Sequence, residues 1–271
     1  IVASAGNDHV RINRVNLTVG GRALTGLGQA DSGDQGYASV IPGSPLAGSD
    51  LRGLLETPAG IPGVIMVSAT NNTNGDYGSL DLGGSQSPTK GLHDQLTYYS
   101  NYGSRIDIGS PGGARKFNVP RYDGGAGDIL YGGWGELGAL TSGGEICSDP
   151  SLSSPLTFAC FKVNGSAFGW LQGTSMSAPN ATGVAALVLS AKHGLQENPD
   201  GLLARLQSTA RTGMVNESGP NNPTDTGASI TAGPCSTGYC HMTFYPGGAG
   251  NPITFSDAYG AGMVNAAAAV G

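Results

Sequence analysis

The segment from Ser177 to His193 constrains the fold more than any other stretch of this 271-residue chain. It is Ser-Ala-Pro-Asn-Ala-Thr-Gly-Val-Ala-Ala-Leu-Val-Leu-Ser-Ala-Lys-His, apolar or small nearly all the way round a helical wheel. Such a helix has no solvent face to offer, so the pattern predicts a buried core helix with structure packed on several sides. Pro179 fits a first turn, where its missing N–H removes no hydrogen bond. Gly194 supplies a stop.

The strands are read from short apolar runs. Val64–Ala69 is continuous and follows Pro58 and Pro62, as a buried strand of a parallel sheet does. Ile1–Ala5 is a short core strand running into a turn at Gly6-Asn7-Asp8, and Arg105–Ile108 is another, stopped by Gly109-Ser110-Pro111-Gly112. A further helix is predicted over about 199–210, and a small-residue helix over about 263–270 closes the chain. Strands alternating with buried helices predict an α/β fold: a mostly parallel sheet flanked by helices in three layers. In such sheets ligands bind in loops beyond the carboxyl ends of the strands, where Gly6-Asn7 falls.

Between these elements lie three long polar or glycine-rich stretches, at about 9–55, 113–170 and 213–256, which read as insertions in one domain. The first contains a strand excursion around Arg14–Val19 and a surface loop that includes His9. Only 12% of residues are charged and the formal charge is −6, with no basic cluster longer than Arg115-Lys116. A nucleic-acid partner is therefore excluded, because phosphate affinity needs a dense positive footprint. No run approaches the roughly 20 apolar residues needed to cross a membrane.

The chemistry concentrates at Gly173-Thr174-Ser175-Met176-Ser177-Ala178-Pro179. A serine there stands at a helix N-terminus, among unpaired N–H groups and at the positive end of the helix dipole. Negative charge developing on a tetrahedral intermediate is stabilised at such a place. On local physics alone, an N-cap serine is the competing reading. Gly6-Asn7 taken alone is equally readable as a turn.

Together these blocks resemble the subtilisin-like serine proteases, the subtilase family. The serine block followed by Gly183-Val184-Ala185-Ala186-Leu187 is similar to the family's serine signature, and Val2-Ala3-Ser4-Ala5-Gly6-Asn7 to its strand-to-turn motif. Three more stretches follow in the family's order: Thr57–Val67, Tyr99–Gly112 and Tyr259–Ala266. The resemblance implies the subtilisin-like three-layer fold and peptide-bond hydrolysis through an acyl-enzyme. Ser175 would be the nucleophile, and Asn7 with the Ser175 N–H the oxyanion hole. No cofactor is required. Family members bind structural calcium in loops; here Asp8, Asp31 and Asp34 read as solvated turn residues, with a calcium site as the open alternative.

The same resemblance exposes a gap. The family's triad runs aspartate, histidine, serine, with the histidine in a His-Gly-Thr block upstream of the oxyanion asparagine. His9, His93, His193 and His241 all lack that context. A helical rise of about 1.5 Å per residue puts His193 more than about 20 Å from Ser175. The expectation is therefore an incomplete catalytic domain, inactive alone, whose aspartate and histidine come from an N-terminal fragment or partner chain. A propeptide or inhibitor is a further expected partner. The opening Ile1-Val2-Ala3-Ser4-Ala5, without a signal peptide, is expected of a processed or nicked protein.

Three subsidiary readings complete the sequence. Cys147 with Cys160, and Cys235 with Cys240, are expected to form disulfides, which with low lysine content places the chain outside the cytoplasm. Asn16, Asn71, Asn164, Asn180 and Asn216 each begin an Asn-x-Ser/Thr sequon, with Asn180 expected to be buried. Cleavage specificity is not legible, and the mild acidity gives no sign of a dibasic preference. Two rivals stand beside the protease: a pseudo-protease scaffold, and a serine–carboxyl peptidase, against which Asn7 speaks because that class carries aspartate at the oxyanion position.

Overall fold

A computed structural model describes residues 1–31, 49–71, 94–97, 99–113, 135–140, 161–214 and 253–271. Its strands are β1 (Val2–Ser4), β2 (Ile12–Val19), β3 (Arg22–Ala30), β4 (Ile65–Thr70), β5 (Ile108–Pro111), β6 (Glu136–Leu140), β7 (Phe161–Val163) and β8 (Ser166–Leu171). Its helices are α1 (Thr174–Ala191), α2 (Pro199–Ser208), α3 (Phe255–Tyr259) and α4 (Ala266–Val270).

The fold is α/β, but the described strands form three separate sheets rather than one. β1, β4 and β5 make a parallel sheet in the order β1-β4-β5, with Val2 opposite Ile65 and Val67 opposite Ile108. β2 and β3 form an antiparallel hairpin, and β6-β8-β7 is antiparallel. The physical reason is that the apolar runs mark only strands buried on both faces. The hairpin strands are half-exposed and carry polar residues, so they reveal themselves by pairing rather than by composition.

β4 shows how the sheet divides the core. All six of its residues are buried, and they alternate between faces. Ile65 and Val67 pack with Ile108 against Ala181, Ala185 and Val188 of α1, Leu206 of α2 and Ala269 of α4. Met66 turns the other way, joining Ala5, Val10, Ile12, Ala30, Ala59 and Ile106 beside the hairpin. The predicted strand at 105–108 begins three residues later than expected, because residues 103–105 form a turn in which the Ile106 N–H bonds the Gly103 carbonyl at 3.0 Å. Arg105 and Asp107 form a buried ion pair at 2.6 Å. Asp107 also accepts the Met66 N–H at 2.8 Å and pairs with Arg14 at 2.6 Å, fastening the hairpin to the sheet.

α1 starts three residues earlier than the sequence pattern suggests, and it is not buried all round. Ala178, Ala181, Ala185 and Val188 face the core, while Pro179, Asn180, Gly183, Ala186 and Leu187 are exposed. Leu187 is 54% exposed. Asn180 is therefore exposed rather than buried, and its Nδ2 donates to the Pro111 carbonyl at 3.0 Å.

Two further expectations are revised. His9 is 2% exposed, with Nδ1 3.1 Å from the Ser100 carbonyl and its ring against Tyr102, so it is a core residue rather than a loop residue. The disulfide reading is also corrected. No disulfide is found among the described residues, and Cys147, Cys160, Cys235 and Cys240 all lie outside them. Closeness in sequence does not supply the Cα approach of about 4.4–6.8 Å that a bridge needs. Most of the stretches at 113–170 and 213–256, with Asp34, His93 and His241, likewise lie outside the described residues. No described helix is long and apolar enough to cross a membrane.

Candidate active site

Ser175 lies in the first turn of α1, exposed, at the point where the chain leaves β8 through Gln172 and Gly173. Gly173 has φ +150°, a backbone region that residues with a side chain rarely adopt, so glycine is demanded where the strand turns into the helix. Its carbonyl accepts the Met176 N–H at 2.9 Å and the Ser177 N–H at 3.3 Å. The Ser177 hydroxyl closes on the Thr174 carbonyl at 2.8 Å. Among the described residues no acceptor is found for the Ser175 N–H, which stays available at the helix N-terminus.

Asn7 comes to the same place from the end of β1. Its Oδ1 accepts the Thr174 N–H at 2.9 Å and the Thr174 hydroxyl at 2.8 Å. A backbone N–H only donates, so the Asn7 atom facing it is the oxygen, and this fixes which way the amide points. The Thr174 hydroxyl in turn accepts the Gly6 N–H at 3.2 Å. Asn7 thus caps the helix from across the fold, and no acceptor for its Nδ2, a double donor, is found among the described residues. A Cβ built on Gly173 would stand 3.7 Å from that nitrogen, which places the Asn7 amide beside the turn that carries Ser175.

The turn holding Asn7 is fixed from beneath by a residue whose role sequence inspection misses. Asn101, 1% exposed, accepts the Val10 N–H at 2.9 Å and the Asp8 N–H at 3.2 Å, and donates to the Ala5 carbonyl at 2.8 Å. Three of the four groups on its amide are thereby used to hold residues 5–10. Gly6 has φ +102°, and a Cβ there would collide with Asn101 Nδ2. The signal was present as Tyr99-Ser100-Asn101-Tyr102-Gly103, but the sequence does not say what Asn101 grips. Tyr99 and Tyr102 are buried, and the Tyr99 hydroxyl donates to the Gly112 and Gly113 carbonyls.

Glu56 also stands beside Gly6. Its Oε1 would stand 3.7 Å from a Cβ on Gly6. Burial, then the charge of Asp8, pushes the Glu56 carboxyl up to about 7, and burial also raises Asp8. Both carboxylates line a cavity of about 130 Å³ with Val10, Ile12, Leu51 and Asn101.

The structure does not bring a histidine to Ser175 among the described residues. His193 stands in the turn beyond the far end of α1, and His9 is buried against Tyr102, with desolvation holding its pKa down at about 3. No group of three or more His, Cys, Asp or Glu side chains suited to a metal occurs among the described residues. Asp31 is held instead by Asn13 Nδ2 at 2.9 Å.

The chain belongs to the Subtilase family, whose model matches residues 1–258. Comparison with curated proteins gives no match. Similar solved structures include a protease from Pseudoalteromonas arctica, 23% identical with TM-score 0.38, covering 80% of this chain and 38% of its own. The epidermin leader peptide processing serine protease of Staphylococcus aureus is 16% identical with TM-score 0.43, over 100% of this chain and 39% of its own. A serine protease of Aeromonas sobria is 17% identical with TM-score 0.45, over 99% and 36%. The chain thus spans well under half the length of these proteins.

Proposed function

We propose that this chain supplies the nucleophile and oxyanion hole of a secreted serine endopeptidase, and that an N-terminal segment or a partner chain supplies the histidine and aspartate. The observation that carries the reading is the double hydrogen bond from Thr174 to Asn7. It holds a side-chain donor beside the exposed helix turn that presents Ser175 and its own N–H.

In the proposed reaction the Ser175 hydroxyl attacks the scissile carbonyl. Its proton passes to the histidine of the other segment, and the carbonyl π electrons move to oxygen. Asn7 Nδ2–H and the Ser175 N–H receive that oxyanion. Collapse breaks the C–N bond, the histidine returns the proton to the leaving amine, and water then cleaves the acyl-enzyme by the same route in reverse. This needs no cofactor, and any calcium bound in the loops would act on stability alone. A serine with no base is a weak nucleophile, so the chain alone is expected to be essentially inactive.

The surface is consistent with a covering segment. β1 ends its sheet, with no further strand beside it among the described residues. Gly183, Ala186 and Leu187, further along α1 from Ser175, are also exposed. An unpaired edge and a bare helix face call for a partner strand and a packed element. One of the comparison structures is an Aeromonas sobria serine protease in complex with a chaperone, 18% identical with TM-score 0.43, over 99% of this chain and 35% of its own.

The test is peptide hydrolysis by the chain together with its N-terminal segment, against the same assembly carrying Ser175→Ala. Hydrolysis that vanishes with the substitution supports the reading. Hydrolysis that survives it, or a segment whose presence brings no histidine-dependent activity, contradicts it.

A further inference from the structure

Both peptide groups that flank Asn7 are bonded to one buried residue. The Gly6 carbonyl, on the peptide entering Asn7, accepts the Asn101 backbone N–H at 3.0 Å. The Asp8 N–H, on the peptide leaving it, donates to Asn101 Oδ1 at 3.2 Å. A peptide group is planar, so holding both planes holds the two backbone dihedrals between them, and with them the direction of the Cα–Cβ bond. Further out on either side, the Val10 N–H donates to the same Oδ1 at 2.9 Å, and the Ala5 carbonyl accepts from Nδ2 at 2.8 Å. Thr174 holds the far end of the Asn7 side chain, and Asn101 sets where that side chain starts.

Asn101 can impose this geometry because its own segment is tied to β4, the central strand of the parallel sheet. Its carbonyl accepts the Ser100 hydroxyl at 2.9 Å, and the Ser100 oxygen accepts the Ala69 N–H at 3.0 Å. The Thr97 N–H donates to the Ala69 carbonyl at 3.0 Å. The same segment reaches the serine side. The Tyr99 hydroxyl donates to the Gly112 carbonyl at 3.0 Å, and that carbonyl also accepts the Gly173 N–H at 3.0 Å, two residues before Ser175. Residues 99–101 are thus hydrogen-bonded toward both turns that carry the donors of the proposed oxyanion hole.

Such a donor works only when it stands about 2.7–3.1 Å from the place the oxyanion will occupy. A displacement of about 1 Å in a reacting geometry costs on the order of 10²-fold in rate. Resting on the proposed endopeptidase function, we infer that Asn101 is a positioning residue for the oxyanion hole, acting on the rate through the placement of Asn7. Its effect falls on kcat, because the oxyanion is present in the transition state and absent from the bound substrate.

The test is a double-mutant cycle on the assembled protease, with Asn7→Ala as the second substitution. Each kcat is expressed per Ser175 counted by fluorophosphonate labelling carried to completion, so misfolded molecules do not enter it. Asn101→Asp keeps the shape and the acceptor oxygen and loses the donor to the Ala5 carbonyl, while Asn101→Ser shortens the side chain. With Asn7 present, each is expected to lower kcat at least about tenfold, with KM within about threefold. In the Asn7→Ala background the same substitution is expected to lower kcat less than about threefold, because no side-chain donor remains to be misplaced. An equal loss in both backgrounds is what a merely structural residue gives, and it overturns the proposal. A kcat unmoved by both variants, or a loss confined to KM, overturns it as well. Variants that yield no labelled Ser175 where Asn7→Ala does would make Asn101 a folding residue, which also overturns it. Each of these outcomes leaves the endopeptidase standing. A wild-type assembly that hydrolyses no peptide overturns the endopeptidase reading and the proposal with it.

Discussion

The Asn7 side-chain oxygen accepts two hydrogen bonds from Thr174, from its N–H at 2.9 Å and its hydroxyl at 2.8 Å, across 167 residues of chain. Thr174 therefore positions Asn7, which in the proposed mechanism meets the reacting oxygen. The two substitutions are expected to differ in size. Asn7→Ala removes a donor from the oxyanion and should lower kcat by about 10²–10³-fold, a magnitude carried over from a subtilisin-type enzyme. Thr174→Val keeps the N–H bond and loses only the hydroxyl, so it should lower kcat by a smaller factor, with KM little changed in both. Steady-state kinetics of the assembled enzyme separates the two.

Gly6 is required twice over, by its φ of +102° and by the collision a Cβ would make with Asn101 Nδ2. Gly6→Ala is expected to cost on the order of 1–3 kcal/mol in stability. It should also shift the Asn7 turn, so activity falls more than stability alone accounts for. Thermal unfolding beside kinetics checks both.

Half-buried Glu56 and buried His9 give the fold opposite responses to pH. Glu56 is raised to about 7 by burial and by Asp8, so between about 4.5 and 7 the folded state binds more protons than the unfolded one. Stability from this group is present at low pH and is lost as pH rises through about 7. Glu56→Gln should accordingly raise the melting temperature above pH 7 and change it little below pH 4.5. His9, lowered to about 3 by burial and by Arg11, acts the other way. The unfolded state binds its proton first, so stability is lost as pH falls from about 6.5 toward 3. Melting curves of wild type and Glu56→Gln from pH 4 to 8 test the sign.

Leu187, exposed on the side of α1 turned away from the core, is expected to be covered in the assembled protein. Leu187→Asp should weaken association with the N-terminal segment at least tenfold while leaving the far side of α1, packed through Ala181, Ala185 and Val188, intact. Titration of labelled segment against the two chains measures it. Equal binding would remove α1 from the interface.

What could be read from the sequence was whatever a few adjacent residues determine. The Gly173–Pro179 block showed a serine at a helix start because the glycine, the proline and the apolar run are contiguous, and β4 was legible because all its residues are buried. The pairings that build the site were not, since they join residues far apart: Asn7 to Thr174, Asn101 to the 5–10 turn, Glu56 to Gly6. His9 reads as a loop residue beside Asn7 and Asp8, yet it is buried against Tyr102, a residue 93 positions away that local sequence does not reveal. The hairpin was half seen, as a strand near Arg14–Val19, since its partner Arg22–Ala30 is too polar and glycine-rich to announce itself.

The central claim is that Ser175 is a nucleophile activated from outside this chain. The most direct measurement is fluorophosphonate labelling, with the modified residue located by mass spectrometry, on the chain alone and with its N-terminal segment. The account predicts phosphonylation at Ser175 only when the segment is present, lost again when that segment's histidine is replaced. Labelling absent in the complete assembly, or falling on another serine, would contradict it.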